Sequence, residues 1–225
     1  MPGYAVVDVE ATGRSPWRHR VVEIAVVLLD DGLRPEGEFS SLVDPLGPVG
    51  PTHVHRIAQE DVVGAPRFRE LAPELLDLLA GRVLVGHHVT CDHAFLDREF
   101  ARIGVVLPAV PLLCTMRLAR ELLPEAGGWG LAACVRAAGL GWYPAHTALG
   151  DARAAAGLLR HCLDAQAGPP AELPVAAAVP WPRLGRARSL DGEGQVPVLS
   201  RALPAGPWLP GVRPAGRLAS TAGGE

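Results

Sequence analysis

Asp8-Val9-Glu10 sets two carboxylates two residues apart, at the end of the apolar run Tyr4-Ala5-Val6-Val7. That run reads as a short buried strand, and residues two apart on a strand face the same side. Like charges held that close each resist ionising unless a cation lies between them. Mg²⁺ and Mn²⁺ prefer carboxylate oxygens, so the pair suits a divalent-metal site. Two solvated acids at a strand end would show the same letters. Two more acids fit the metal chemistry. Asp92 lies just past the apolar run Val83-Leu84-Val85-Gly86, at a strand-to-helix junction where open α/β sheets hold their ligands. Asp151 follows His146 by five residues, in the first turn of the last helical segment. Each has an ordinary reading too. An acid in a first helical turn is favoured by the helix dipole, and a lone histidine before a helix is commonly a loop residue.

The elements that must carry these groups are legible. Val21–Leu29 is a long β-branched run and reads as a central strand. Asp30-Asp31-Gly32 is a turn, and Glu38–Val43 reads as a third strand, so the chain opens as an antiparallel meander. Glu23, a charge within the second run, reads as edge-facing, the alternative being a partner to the first strand. Residues 45–65 read as a loop rich in Pro, Gly and His. Phe68, Leu71, Leu75, Leu76, Leu78 and Leu79 have helical spacing and stop at Gly81. After the fourth strand, Thr90 is the expected N-cap of a helix carrying Phe95, Leu96, Phe100 and Ile103. Residues 110–115 are a candidate fifth strand. Helices are expected at about 115–123, 131–139 and 147–166, the last with Leu158, Leu159, Cys162 and Leu163 on its apolar face.

Composition bounds the class. The chain has 225 residues, 48% apolar and 20% charged, enough for a sizeable core. No stretch of eighteen apolar residues occurs, and no charged-then-apolar leader precedes the first strand, so a cytoplasmic protein without a membrane span is expected. Cys91, Cys114, Cys134 and Cys162 form no Cys-x-x-Cys pair and read as reduced, mostly buried thiols. All 21 cationic residues are Arg and the net charge is −3, so no global basic field announces nucleic acid. From Pro169 to Glu225, 10 Pro and 8 Gly fill 57 positions, at the level of low-complexity segments. Two regions follow: a domain over 1–165 and a Pro/Gly/Ala-rich C-terminal tail over 166–225, expected to be flexible.

Taken together, the candidate residues come in a telling order. Asp8-Val9-Glu10-Ala11-Thr12-Gly13, then Gly86-His87-His88 leading to Asp92, then His146 leading to Asp151, resemble the three motifs of the DEDDh-type (DnaQ-like) 3′–5′ exonucleases. That family includes the proofreading epsilon subunit of bacterial DNA polymerase III. Arg20–Ala25, His55-Arg56-Ile57 and Gly64–Phe68 are similar to its intervening pieces, and the resemblance covers about residues 4–165. It implies an α/β RNase H-like fold: a mixed five-stranded sheet, antiparallel meander then parallel strands, with helices on both faces. It implies that Asp8, Glu10, Asp92 and Asp151 hold two divalent cations, Mg²⁺ or Mn²⁺, and that His146 is the general base. It further implies that Ala11 and Thr12 touch the terminal 3′ nucleotide and that the segment of His55 and Ile57 packs against bases.

The expected activity is hydrolysis of DNA from the 3′ end to nucleoside 5′-monophosphates, in proofreading or repair. An RNA-trimming exoribonuclease and a non-catalytic nucleic-acid- or replisome-binding module on the same fold are the alternatives. Single-stranded or frayed 3′ ends of DNA, or of RNA, are the expected partners, with a DNA polymerase or sliding clamp beside them. Three positions depart from the family pattern: Ala11 where Thr is usual, His88 where Asn is usual, and Cys91 where Phe is usual. In the tail, Trp181 and Trp208 are candidate anchors. Arg183, Arg186 and Arg188 form a basic cluster, and Gln195-Val196-Pro197-Val198-Leu199 is faintly similar to clamp-binding peptides.

Overall fold

Alternation along the first two strands divides the interior into two cores. In the computed structural model, which describes residues 3–165, 180–185 and 199–201, β1 (Tyr4–Ala11) pairs antiparallel with β2 (Val21–Leu29). β3 (Pro35–Leu42) pairs antiparallel with β2 on its other side, while β4 (Val83–Gly86) and β5 (Leu112–Cys114) run parallel beyond β1. The sheet order is β3-β2-β1-β4-β5. Ala5, Val7, Ile24, Val26 and Leu28 face one side, against α2 (Phe68–Leu79) and α3 (Val89–Arg102). Val6, Ala25, Val27 and Leu29 face the other, against α4 (Thr115–Leu122), α5 (Leu131–Ala137) and α6 (Ala148–Ala165). This is the expected mixed five-stranded sheet with helices on both faces. No described helix is long and apolar enough to cross a membrane.

Several expectations are corrected. β3 begins at Pro35, three residues early, because it zips against β2 nearly to the Asp30–Gly32 turn. The 45–65 loop contains α1, a single turn over Thr52–His55, and a 3₁₀ turn over Gln59–Val62. Thr90 is not an N-cap. α3 starts at Val89, and His88 precedes it with φ 79°, giving no side-chain cap. The chain must turn sharply out of β4 there, and histidine tolerates the left-handed region better than a β-branched residue does. Glu23 is not edge-facing. It lies on a strand paired on both sides and is 1% exposed. Cys91 is exposed, whereas Cys134 and Cys162 are buried; all four thiols are free.

Two pieces of the tail lie on the domain. Trp181 and Leu184 pack against the α2–α3 core. The carbonyl of Leu199 accepts the Leu42 N–H at 2.6 Å, so residues 199–201 run along the outer edge of β3. Apolar burial and an unpaired strand edge account for where these pieces lie. Trp208, Arg186, Arg188 and residues 195–198 lie outside the described residues.

The loop after β1 is tied down by a buried acid. Glu99 of α3, 1% exposed, accepts both Arg20 Nε (2.8 Å) and Nη2 (2.9 Å), the Val21 N–H (3.2 Å) and Arg102 Nη1 (3.1 Å). Arg102 also donates to the carbonyls of Pro16 and His19. Thr12 and Arg20 close the loop, with the Thr12 N–H on the Arg20 carbonyl and the Arg20 N–H on Thr12 Oγ1. Gly50, at φ +86°, lies so close to this turn that a Cβ would sit 2.3 Å from the Thr12 carbonyl oxygen. Removing one partner of a buried, multiply bonded ion pair strands the other charges. Glu99→Ala is therefore expected to cost about 3 kcal/mol, read from the urea midpoint at unchanged m-value, with Glu99→Gln closer to the parent.

Candidate active site

Strand length creates the site. β4 pairs with β1 only from Tyr4 to Val6, so the last residues of β1 project past their parallel neighbour. The Val9 N–H, left without a β4 carbonyl, donates instead to Asp92 Oδ1 at 3.3 Å. That bond seats the first turn of α3 against β1, between Asp8 and Glu10. Asp8 and Glu10 lie on the α6 side of the sheet, with Glu10 directly opposite Glu23 on β2. Glu23 Oε2 accepts the Ala148 N–H at 2.9 Å, which fixes the start of α6 over the end of β1. Thr147 Oγ1 accepts the Gly150 N–H at 3.2 Å and caps that helix. Gly150 is obligatory for this packing, since a Cβ would lie 2.3 Å from the Pro144 carbonyl oxygen.

Asp151 thereby enters from the first turn of α6. Its Oδ2 accepts the His146 N–H at 3.1 Å, and the Tyr143 hydroxyl bonds to the same carboxyl. His146 is exposed, with φ 62°. A ring nitrogen of His146 and carboxylate oxygens of Glu10 and Asp151 lie within 4.8 Å of one another. Of the five expected catalytic residues, all therefore reach one end of the sheet: these three as a tight group, and Asp8 and Asp92 beside them on β1 and α3.

The electrostatics of the group are those of crowded anions. Burial, then the charges of Asp92, Asp151, Glu10 and Glu23, raises Asp8 well above the usual carboxylate range. Burial, then Asp151 and Glu23, pushes Glu10 up to about 8, with Arg201 opposing. Burial pushes Asp92 and Asp151 up to about 7, against the Val9 and His146 N–H bonds that favour their ionised forms. A set of carboxylate donors with one imidazole, short of positive charge, fits hard divalent cations such as Mg²⁺ or Mn²⁺.

The expected substrate contacts divide. Ala11 is half-buried at the end of β1, and Thr12 opens the loop beside it. His55 and Ile57 are 1% and 0% exposed. His55 Nδ1 accepts the Ile57 N–H at 3.0 Å and Nε2 meets the Val49 carbonyl at 3.2 Å. Both side chains are thus engaged in folding the loop. Among the departures, His88 Nδ1 and Cys91 Sγ lie 3.2 Å apart on the surface. His87 is structural, bridging the Thr115 hydroxyl (3.0 Å) and the Trp129 carbonyl (2.8 Å). Two site neighbours escaped the sequence, Tyr143 and Arg201, and a third, Glu23, reads there as edge-facing ahead of its alternative as a partner to the first strand. Glu23 carried a signal, as a lone charge in an apolar strand; the other two carried none.

Comparison with known proteins places the chain in an exonuclease family. The exonuclease family model, of the RNase T type, matches residues 5–159. The DNA polymerase III subunit epsilon of Aquifex aeolicus is 31% identical over 152 residues, 66% of this chain and 74% of that protein. A PolC-type DNA polymerase III of Clostridium perfringens is 32% identical over 159 residues, 70% of this chain but 11% of that protein. The chain thus spans about a tenth of the PolC-type relatives. Exonuclease I of Methylocaldum szegediense superposes with a TM-score of 0.61 at 21% identity, covering 70% of this chain and 39% of that one. The nuclease domain of 3′hExo, a DEDDh family member bound to rAMP, gives 0.60 at 19% identity, covering 72% of this chain and 91% of that one.

A test follows from the raised carboxylates. A group whose pKa is higher folded than unfolded stabilises fully below its unfolded value and loses that contribution as pH rises through the folded one. In chelator, the melting temperature is expected to fall as pH rises from about 4 toward 8. Excess Mg²⁺ or Mn²⁺ should remove most of that fall, because cations bind the ionised carboxylates of the native state. A flat profile in chelator would contradict the crowded-anion description.

Proposed function

Since the chain belongs to the DEDDh exonuclease family, we propose that it is a metal-dependent 3′–5′ exonuclease acting on DNA in proofreading or repair. The observation that carries this reading is the convergence of Asp8, Glu10, Asp92, Asp151 and His146 at the projecting end of β1. The named function of the Aquifex relative favours DNA and a polymerase partner. The substrate is a single-stranded or frayed 3′ end.

In this reading Asp8, Glu10, Asp92 and Asp151 hold two divalent cations, Mg²⁺ or Mn²⁺. Such cations, when bound, supply an activated water and neutralise charge on the phosphate. His146 takes the proton of the attacking water, a task suited to an imidazole near neutral pH. The carbonyl–Arg201 and N–H–Asp151 bonds on either side of its backbone orient it. Ala11 and Thr12 receive the terminal nucleotide, while His55 and Ile57 brace the neighbouring loop from within. Water oxygen bonds to phosphorus as the link to the 3′-oxygen breaks, releasing a nucleoside 5′-monophosphate. A sliding clamp as a second partner rests on Gln195–Leu199, of which Leu199 alone is described.

The rAMP held by 3′hExo keeps an RNA substrate as the second reading. Digestion of 5′-labelled single-stranded DNA, a mispaired primer–template and the matching RNA separates them. A metal-dependent ladder shortening from the 3′ end is expected, fastest on DNA. Asp8→Ala should lower the rate by about a hundredfold or more, and His146→Ala should lower kcat by about 10²-fold or more at similar KM. Metal-independent binding with no degradation by folded protein would favour a binding module instead.

A further inference from the structure

The buried carboxylate behind the site takes its counter-charge from far along the chain. Glu23, 2% exposed in its side chain, is met by Arg201 Nε and Nη2, each at 2.9 Å, in a bidentate pair. The same guanidinium donates through Nη1 to the His55 carbonyl at 2.7 Å and through Nη2 to the His146 carbonyl at 2.9 Å. One side chain therefore joins three parts of the domain: the middle of the sheet, the loop of α1, and the turn that carries His146. Ser200 Oγ on the Ser40 carbonyl (2.5 Å) and Leu199 on the Leu42 N–H hold the segment in register along β3. A planar guanidinium with several donors suits such a four-acceptor junction; a lysine ammonium does not.

We propose that Arg201 is a positioning residue of the active site, supplied by the C-terminal segment, which completes the site by clamping the His146 turn to Glu23. Three observations support it independently of any chemistry assigned to His146. Glu23 faces Glu10 across the β1–β2 pair, where like charges opposite one another are unfavourable. Glu23 also anchors the first N–H of α6, so its orientation sets where Asp151 begins. Among the described residues, the other ties of the His146 turn are all local: its N–H on Asp151, the Tyr143 hydroxyl on the same carboxyl, and the short bonds within residues 143–151, so Arg201 is its link to the middle of the sheet and the α1 loop. Without the clamp, the carboxylate behind the site is unpaired and the turn loses its carbonyl partner. The catalytic consequence rests on the exonuclease reading above; the clamp itself does not.

The test uses the full chain with Arg201→Ala, Arg201→Lys and the double variant Glu23→Gln/Arg201→Ala. Arg201→Ala is expected to lower kcat about 10- to 100-fold with KM for a single-stranded oligonucleotide within about threefold, since misplacement of a reacting group falls on the chemical step. Its melting temperature should drop by about 6–20 °C. Glu23→Gln/Arg201→Ala removes the unpaired charge and should regain most of that drop while kcat stays low. Arg201→Lys should keep the charge but recover only part of kcat. Hydrogen exchange at residues 144–150 reads the clamp without any activity, and should accelerate in Arg201→Ala and in the double variant. Parent-like exchange and kcat in folded Arg201→Ala would overturn the proposal, as would a rise in kcat, which would mark the segment as an inhibitor. A parent chain that degrades nothing would sink the exonuclease reading alone, and exchange would still decide the clamp.

Discussion

Mutual repulsion among carboxylates at one end of a sheet is the constraint around which this molecule is arranged. Asp8, Glu10, Asp92 and Asp151 are each pushed toward their neutral forms, first by burial and then by neighbouring carboxylates, with Glu23 the one that acts on Asp151. A fold can hold such a group only by bracing each member from outside the cluster. The braces are visible and cheap: the Val9 N–H for Asp92, the His146 N–H and Tyr143 hydroxyl for Asp151. None of them discharges the cluster. They fix geometry and favour the ionised forms of Asp92 and Asp151 without bringing a positive charge, which leaves that place to a cation.

The bracing depends on unequal strand lengths. Were β4 as long as β1, its carbonyls would take the Val9 N–H, and α3 would begin further from the acids. Because β4 stops at Gly86, the first turn of α3 drops onto the exposed flank of β1. Gly86 itself has little room, since a Cβ would lie 3.2 Å from Asp92 Oδ2. The site is thus a by-product of where pairing ends. Glu99, Arg20 and Arg102 then hold the departing loop so that the end of β1 keeps one direction.

Much of this was legible in the letters. The period-2 placement of Asp8 and Glu10 and the order of the three motifs carry the site. The β-branched run Val21–Leu29 gives a strand with the bounds observed. What escaped has physical reasons. Glu23 misled because a strand buried on both faces has no outward side, so periodicity cannot say where a charge points. For His55 and Ile57, a motif fixes a position in the chain without saying which way a side chain turns; here both turn inward. Thr90 has a capping side chain, but the backbone left β4 through a left-handed residue and started the helix earlier. Arg201 was invisible because its partner lies 178 positions away, in a stretch whose composition argues against order.

The outer margins of the sheet carry one more implication. β5 is three residues long, too short to recruit another strand, but β3 is eight and lies at the opposite edge. Such an edge is a template on which a foreign chain can lay its own backbone. Here the protein's own residues 199–201 lie along it, with the Leu42 N–H and the Ser40 carbonyl already taken. Part of the stretch that reads from sequence as a flexible tail therefore also serves as a selvedge, occupying the edge groups on which a foreign strand would otherwise pair.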